Sequence, residues 1–102
     1  VIVTAEDPRT ESLQAIMRES AEAAEKEGKR LGDDLLVIAD RGQALLRACE
    51  MAESEDIVIA CGKGHEQSMC FGSTEYPWDD REAMRLALHG ERLQSLPTTV
   101  EE

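Results

Sequence analysis

Three short apolar runs divide the chain: Val1-Ile2-Val3-Thr4, Leu35-Leu36-Val37-Ile38-Ala39 and Ile57-Val58-Ile59-Ala60-Cys61. The first is β-branched and is closed by Pro8, which cannot donate to a ladder. The other two are continuous rather than alternating, as in strands buried on both faces. Between them the pattern changes to a helical period. Leu13, Ile16, Met17, Ala21 and Ala24 recur at three and four residues, with Arg18, Glu19, Glu22, Glu25 and Lys26 between them. Gly28 and Gly32 are the expected stops. Asp40 is placed to cap a second helix carrying Ala44, Leu45, Ala48, Cys49 and Ala52 on one side. Asp79 or Asp80 caps a third through about residue 88, closed by Gly90. Met69-Cys70-Phe71 reads as a short edge strand. Strands alternating with helices imply an α/β fold with a parallel sheet and right-handed crossovers.

The size of the chain, 102 residues, fits one small domain. With 41% hydrophobic but only 3% aromatic residues, its core must rest on aliphatic and Met side chains. A core of this size is marginal alone. The first run opens at residue 1 with no lead-in, which suggests a piece of a longer chain, and residues 91–102 read as a tail. A net charge of -11 argues against nucleic acid as a partner and against an anionic membrane surface. The acidic stretch at residues 19–27 and the pair at 101–102 read as a solvated face and tail. The apolar runs are too short to span a membrane, and no signal peptide is expected. Three irregularly spaced cysteines do not suggest a disulfide framework; a reducing cytoplasm fits. Cys49 and Cys61, in apolar runs, are expected in the core.

In a parallel sheet the segments that follow the strands gather at one edge, where open α/β sheets bind ligands. Here those segments are Glu6-Asp7-Pro8-Arg9, Asp40-Arg41 and Gly62-Lys63-Gly64-His65-Glu66. Arg9 could hold a carboxylate through a bidentate pair, and Glu6 or Asp7 could hold an ammonium. The same turn also reads as a cap with a surface ion pair. Gly62 and Gly64 let a ligand approach the backbone. The Gly-Lys-Gly order lacks the length, and the Ser or Thr after Lys, of a nucleotide-binding P-loop. His65 and Glu66 are adjacent and cannot share a helical face as zinc ligands do, so no metal site is expected. A flexible turn with a surface His fits this segment equally well. Asp40-Arg41 reads as a cap followed by a surface Arg, and Asp79-Asp80-Arg81 as a helix start with acid at the positive dipole end. Trp78 is expected to pack the preceding loop onto the sheet.

Taken in order, these segments resemble the C-terminal domain of the Mur ligases, in the branch that makes UDP-N-acetylmuramoyl-tripeptide. That family shows a strand followed by Asp-Asn-Pro-Arg, here residues 1–4 and Glu6-Asp7-Pro8-Arg9. Asp-Arg-x-x-Ala then opens a helix, here Asp40-Arg41-Gly42-Gln43-Ala44. An Asp-Ile-Val strand runs into Gly-Lys-Gly-His-Glu, here Asp56-Ile57-Val58 through Glu66. An aromatic-Asp-Asp-Arg-Glu helix start follows, here Trp78-Asp79-Asp80-Arg81-Glu82.

The resemblance implies a three-layer Rossmann-like domain with a mostly parallel sheet, of which this chain is the C-terminal part. It implies an ATP-dependent, amide-forming cytoplasmic enzyme that adds a diamino acid to UDP-N-acetylmuramoyl-L-alanyl-D-glutamate, using Mg²⁺. The central ATP-binding and N-terminal UDP-binding domains would be partners outside this segment, and the segment alone would be inactive. It also implies that Glu6, Asp7, Arg9, Gly62 and Glu66 bind the diamino acid, with Lys63, His65, Asp40 and Arg41 as loop support and no residue acting as a nucleophile. Arg9 would hold the distal carboxylate of meso-diaminopimelate and Glu66 the substrate ammonium. Glu6 and Asp7 stand where the family has Asp and Asn. The added negative charge beside Arg9 favours lysine or ornithine, whereas the retained Arg9 favours diaminopimelate. A standalone, non-catalytic α/β module that binds an amino acid or a partner is the other reading of the chain.

Overall fold

Parallel pairing of the first two apolar runs sets the frame. In the computed structural model, which describes residues 1–92, β1 (Ile2–Val3) pairs in parallel with β2 (Leu36–Val37), Ile2 opposite Leu36 and Val3 opposite Val37. Backbone bonds extend this pairing beyond the strand cores, from Leu36 N to Val1 O at 2.9 Å and from Ala5 N to Ala39 O at 3.3 Å. The connection between them is α1 (Leu13–Lys26), capped by Ser12, whose Oγ accepts from Ala15 N at 3.1 Å. Leu13, Met17 and Ala21 form its buried row. Ile16, expected on that face, is exposed, because the helix meets the rest of the fold along a single i, i+4, i+8 line.

Helix α2 (Arg41–Met51) starts on the expected cap: Asp40 Oδ1 accepts from Gln43 N at 3.0 Å. It packs against α3 (Asp80–Leu88), where Cys49 Sγ lies 3.8 Å from Met84 Sδ. Between these helices the chain forms an antiparallel hairpin of β3 (Ser68–Phe71) and β4 (Thr74–Pro77). β3 contains the expected edge strand; its partner β4 forms where the sequence suggests a loop. Phe71 faces Thr74, leaving Gly72-Ser73 as a two-residue turn with positive φ at Gly72 alone, as a II′ turn requires. The hairpin carries Phe71 and Tyr76, in edge-to-face contact at 5.9 Å, and leads into the buried Trp78. These are the only aromatic residues in the chain, so the aromatic part of the core comes from one eight-residue stretch.

The sheet departs from expectation at the third run. Residues 57–61 form no ladder; they line one side of a cavity of about 750 Å³ whose other walls include Val1, Val3, Ala48 and Met51. Ile57 and Ile59 are 83% and 75% exposed, and Cys61 is exposed rather than in the core. The run is apolar enough for a buried strand, but it pairs with no described strand. The observed sheets are therefore one parallel pair and one antiparallel pair. The class is α/β, as expected.

The deepest polar contact joins these parts. Arg41 is buried, not at the surface as its position after a cap suggested. Its Nε and Nη2 donate to Asp80 Oδ1 and Oδ2 at 2.8 and 2.7 Å, its Nη1 to Ala5 O at 3.0 Å, and its Nη2 also to Cys61 O at 2.9 Å. Trp78 Nε1 donates to Asp80 Oδ1 at 2.6 Å. One guanidinium thus ties the end of β1, the end of the 57–61 run and the start of α3. Replacing Arg41 by Met should destabilise the fold by about 3–5 kcal/mol, because Asp80 would remain buried without its countercharge. Urea unfolding followed by the fluorescence of Trp78, the single Trp, measures this, with Arg81→Ala in the exposed Asp79 pair as a control that should shift the midpoint far less.

Candidate functional site

The first and third polar turns are joined by a second buried cation. Lys63, whose side chain is fully buried, lies 3.0 Å from Asp7 Oδ2 and 3.1 Å from Glu66 Oε1. Asp7 Oδ1 accepts from Cys70 N at 2.9 Å, so the same carboxylate reaches β3. The turn after β1 also pairs with the hairpin through its backbone: Arg9 N donates to Cys70 O at 3.1 Å and Gly72 N to Arg9 O at 2.6 Å. These bonds hold Arg9 at φ 54, a left-handed conformation unusual for a side chain of its size.

The site residues expected from the sequence fall into two groups. Asp7, Lys63 and Arg41 face inward and brace the loops. Glu6, Arg9, Gly62, His65 and Glu66 are exposed around them. Glu6 lies against Gly62, where an added Cβ would come within 2.7 Å of its carboxylate oxygen; Gly62 also has φ +100, so this approach suits glycine. Among the described residues the Arg9 guanidinium makes no hydrogen bond or ion pair, although its charge is felt at Asp7. Asp40 serves its helix as a cap. Sequence reasoning missed Asp80 as the partner of Arg41 and took Arg41 for a surface residue. The run Trp78-Asp79-Asp80 held a signal for the first, since one acid is enough to cap α3 and the second was left to be explained.

Burial opposes ionisation of Asp7, but the Cys70 N–H, the Lys63 bond and charge, and the Arg9 charge hold its carboxyl below the ordinary 3.8. At Asp80 burial is likewise outweighed by bonds from Arg41 and Trp78 and by the charges of Arg41 and Lys63, again leaving the carboxyl below 3.8. Among the described residues no three His, Cys, Asp or Glu side chains converge as metal ligands, and the space between Asp7 and Glu66 is taken by the Lys63 ammonium. No described helix is long and apolar enough to cross a membrane.

No family model matches the chain. Individual proteins do. The UDP-N-acetylmuramyl-tripeptide synthetase of Roseiflexus sp. (strain RS-1) is 49% identical over 88 residues, covering 86% of this chain and 17% of that protein. The UDP-N-acetylmuramoyl-L-alanyl-D-glutamate--2,6-diaminopimelate ligase of Clostridioides difficile (strain 630) is 37% identical over 81 residues, 79% of this chain and 16% of that protein. The UDP-N-acetylmuramyl-tripeptide synthetase of Treponema pallidum (strain Nichols) is 37% identical over 99 residues, 93% and 18%. With such identity sustained over most of its length, the chain belongs to the Mur ligase family. Within the family it is similar to a segment of the UDP-N-acetylmuramyl-tripeptide synthetases, and it spans about a sixth of the length of these relatives.

Both depressed carboxyls make the site acid-sensitive. A group whose folded pKa lies below its unfolded value contributes stability above the unfolded value and loses it as pH falls through the folded one. Stability should therefore decline as pH drops below 3.8. In an acid titration to about pH 2 followed by Trp78 fluorescence, Asp7→Asn should flatten the decline by removing the contribution of Asp7, while those of Asp80 and of the exposed Asp34 and Asp79 remain.

Proposed function

We propose that this segment is part of the C-terminal domain of an ATP-dependent ligase. That ligase adds a diamino acid, meso-diaminopimelate or else lysine or ornithine, to UDP-N-acetylmuramoyl-L-alanyl-D-glutamate in the cytoplasm. The domain reading takes in residues 1–102; of the tail assigned to residues 91–102, all but the first two lie outside the described residues. The observation that carries the proposal is the joining of the Glu6-Asp7-Pro8-Arg9 turn to the Gly62-Lys63-Gly64-His65-Glu66 loop through Lys63. The names of the relatives support the substrate class.

Within that reading the segment positions the attacking amino acid. Glu66, exposed at the rim, offers a carboxylate to an ammonium group, and Arg9, which makes no side-chain ion pair among the described residues, offers a planar fork to a carboxylate. Two opposite charges at fixed places orient a zwitterionic substrate at both ends, which sets attack geometry. ATP with Mg²⁺ would supply activation of the D-Glu carboxyl. This segment carries no P-loop pattern, so that activation is assigned to the part of the ligase outside it.

The state of Asp7 bears on the choice of diamino acid. Its two oxygens are engaged by Lys63 and the Cys70 N–H, so its charge is directed into the protein and away from the Arg9 fork. Arg9 is thereby left open to a distal carboxylate, which favours diaminopimelate. In the intact ligase Arg9→Ala should weaken diaminopimelate use by about 2–5 kcal/mol, as for a charge pair that loses one partner. The KM for ATP should change little, and lysine use should change much less than diaminopimelate use. Steady-state kinetics with diaminopimelate, lysine and ornithine measure this; equal losses for all three would remove Arg9 from substrate selection. The isolated 102-residue chain should not turn over ATP, and turnover by the pure chain would overturn this division of labour.

A further inference from the structure

We infer that Lys63 is a positioning residue, which sets the Glu66 carboxylate for the diamino acid by anchoring it to Asp7. The inference rests on the functional reading above and gives Lys63 and Asp7 a role that does not depend on their own contact with substrate.

Lys63 is among the largest fully buried side chains of the fold, and a buried ammonium persists only when carboxylates surround it. Its two partners are unequal. The Asp7 side chain is 23% exposed and receives a second bond from the Cys70 N–H, whereas the Glu66 side chain is 55% exposed and sits three residues from Lys63 on a loop with two glycines. Charge attraction is stronger where water is excluded, so Asp7 fixes the ammonium and the ammonium in turn orients Glu66. The loop has one further described tie of its own, from Glu66 N to Lys63 O at 3.1 Å. Without the Lys63 ammonium nothing else in the described structure directs the Glu66 side chain.

The arrangement also sets how available Glu66 is. A single carboxylate facing a buried ammonium would be held tightly and poorly exchanged for a ligand. Because Asp7 already meets the charge of Lys63, Glu66 is oriented by Lys63 without being neutralised by it and remains an acceptor for a substrate ammonium. Asp7→Asn should concentrate the Lys63 charge on Glu66 and weaken ammonium binding, an effect of position 7 that is transmitted through Lys63.

The test uses the intact ligase. Lys63→Met keeps the stem and removes the charge. It should raise the KM for the diamino acid about 10–100-fold, the range for losing a group that orients a binding residue, with the KM for ATP and for the UDP-linked substrate within about twofold. Glu66→Gln should do the same, and in that background Lys63→Met should add less than about threefold, because Lys63 acts through Glu66. Multiplying effects, or a KM for the diamino acid unchanged in a folded Lys63→Met enzyme, would overturn the inference. If Lys63→Met does not fold, Asp7→Asn and its double mutant with Glu66→Gln provide the same comparison, and an unchanged KM in Asp7→Asn would again overturn it. A wild-type enzyme that ligates none of the three diamino acids would instead overturn the functional reading itself.

Discussion

The fold turns on one buried guanidinium. Arg41 makes a two-toothed pair with Asp80 and reaches the backbone carbonyls of Ala5 and Cys61. Each of these carbonyls ends a run that leads into a polar turn. A buried ion pair adds little net stability over an apolar substitute, but it tolerates only one geometry. Here that geometry matters more than the energy. Fixing Ala5 and Cys61 to the same side chain fixes the starting points of the Glu6–Arg9 turn and the Gly62–Glu66 loop, and Trp78 locks the carboxylate from the other side.

Lys63, equally buried, repeats the device with a more exposed partner. Arg41 neutralises Asp80, and its field, with that of Lys63, keeps the Asp80 carboxyl ionised; Lys63 does the same for Asp7. Buried cations thus hold inward-facing carboxylates while Arg9, Glu6 and Glu66 remain at the rim. The order is physically sensible for the proposed site, which would distinguish the two ends of a small zwitterion. Rim charges select well when their own supports are rigid, and rigidity comes from pairs that water cannot screen.

What could be read from the sequence follows the distance between partners. The caps Ser12, Asp40 and Asp79 act within three residues, and the last two were legible as local chemistry. The first two strands were legible because both runs pair with each other in the expected parallel sense. Arg41 was misread because its partner lies 39 residues away, and the Asp7–Lys63 bond spans 56. Residues 57–61 show the limit of an apolar run: it says that a segment favours burial, not which strand will cover it. The hairpin had a signal that went unused, Gly72-Ser73 between Met69-Cys70-Phe71 and the β-formers Thr74 and Tyr76.

The Asp at position 7 shows why a residue exchange must be weighed with its neighbours. Counted alone, Asp in place of Asn adds one negative charge beside Arg9 and argues for a substrate ending in an ammonium. In the structure that charge is directed at Lys63 and the Cys70 N–H, and the carboxyl is held ionised there. The repulsion expected for a ligand carboxylate at Arg9 is therefore offset by the nearby ammonium, which the added carboxylate itself holds in place. The exchange costs the Arg9 side of the site little and acts instead on the Glu66 side, by drawing Lys63 toward Asp7. In the proposed site, substrate preference then depends on how two carboxylates, Asp7 and Glu66, share one buried cation, rather than on the charge of the turn alone.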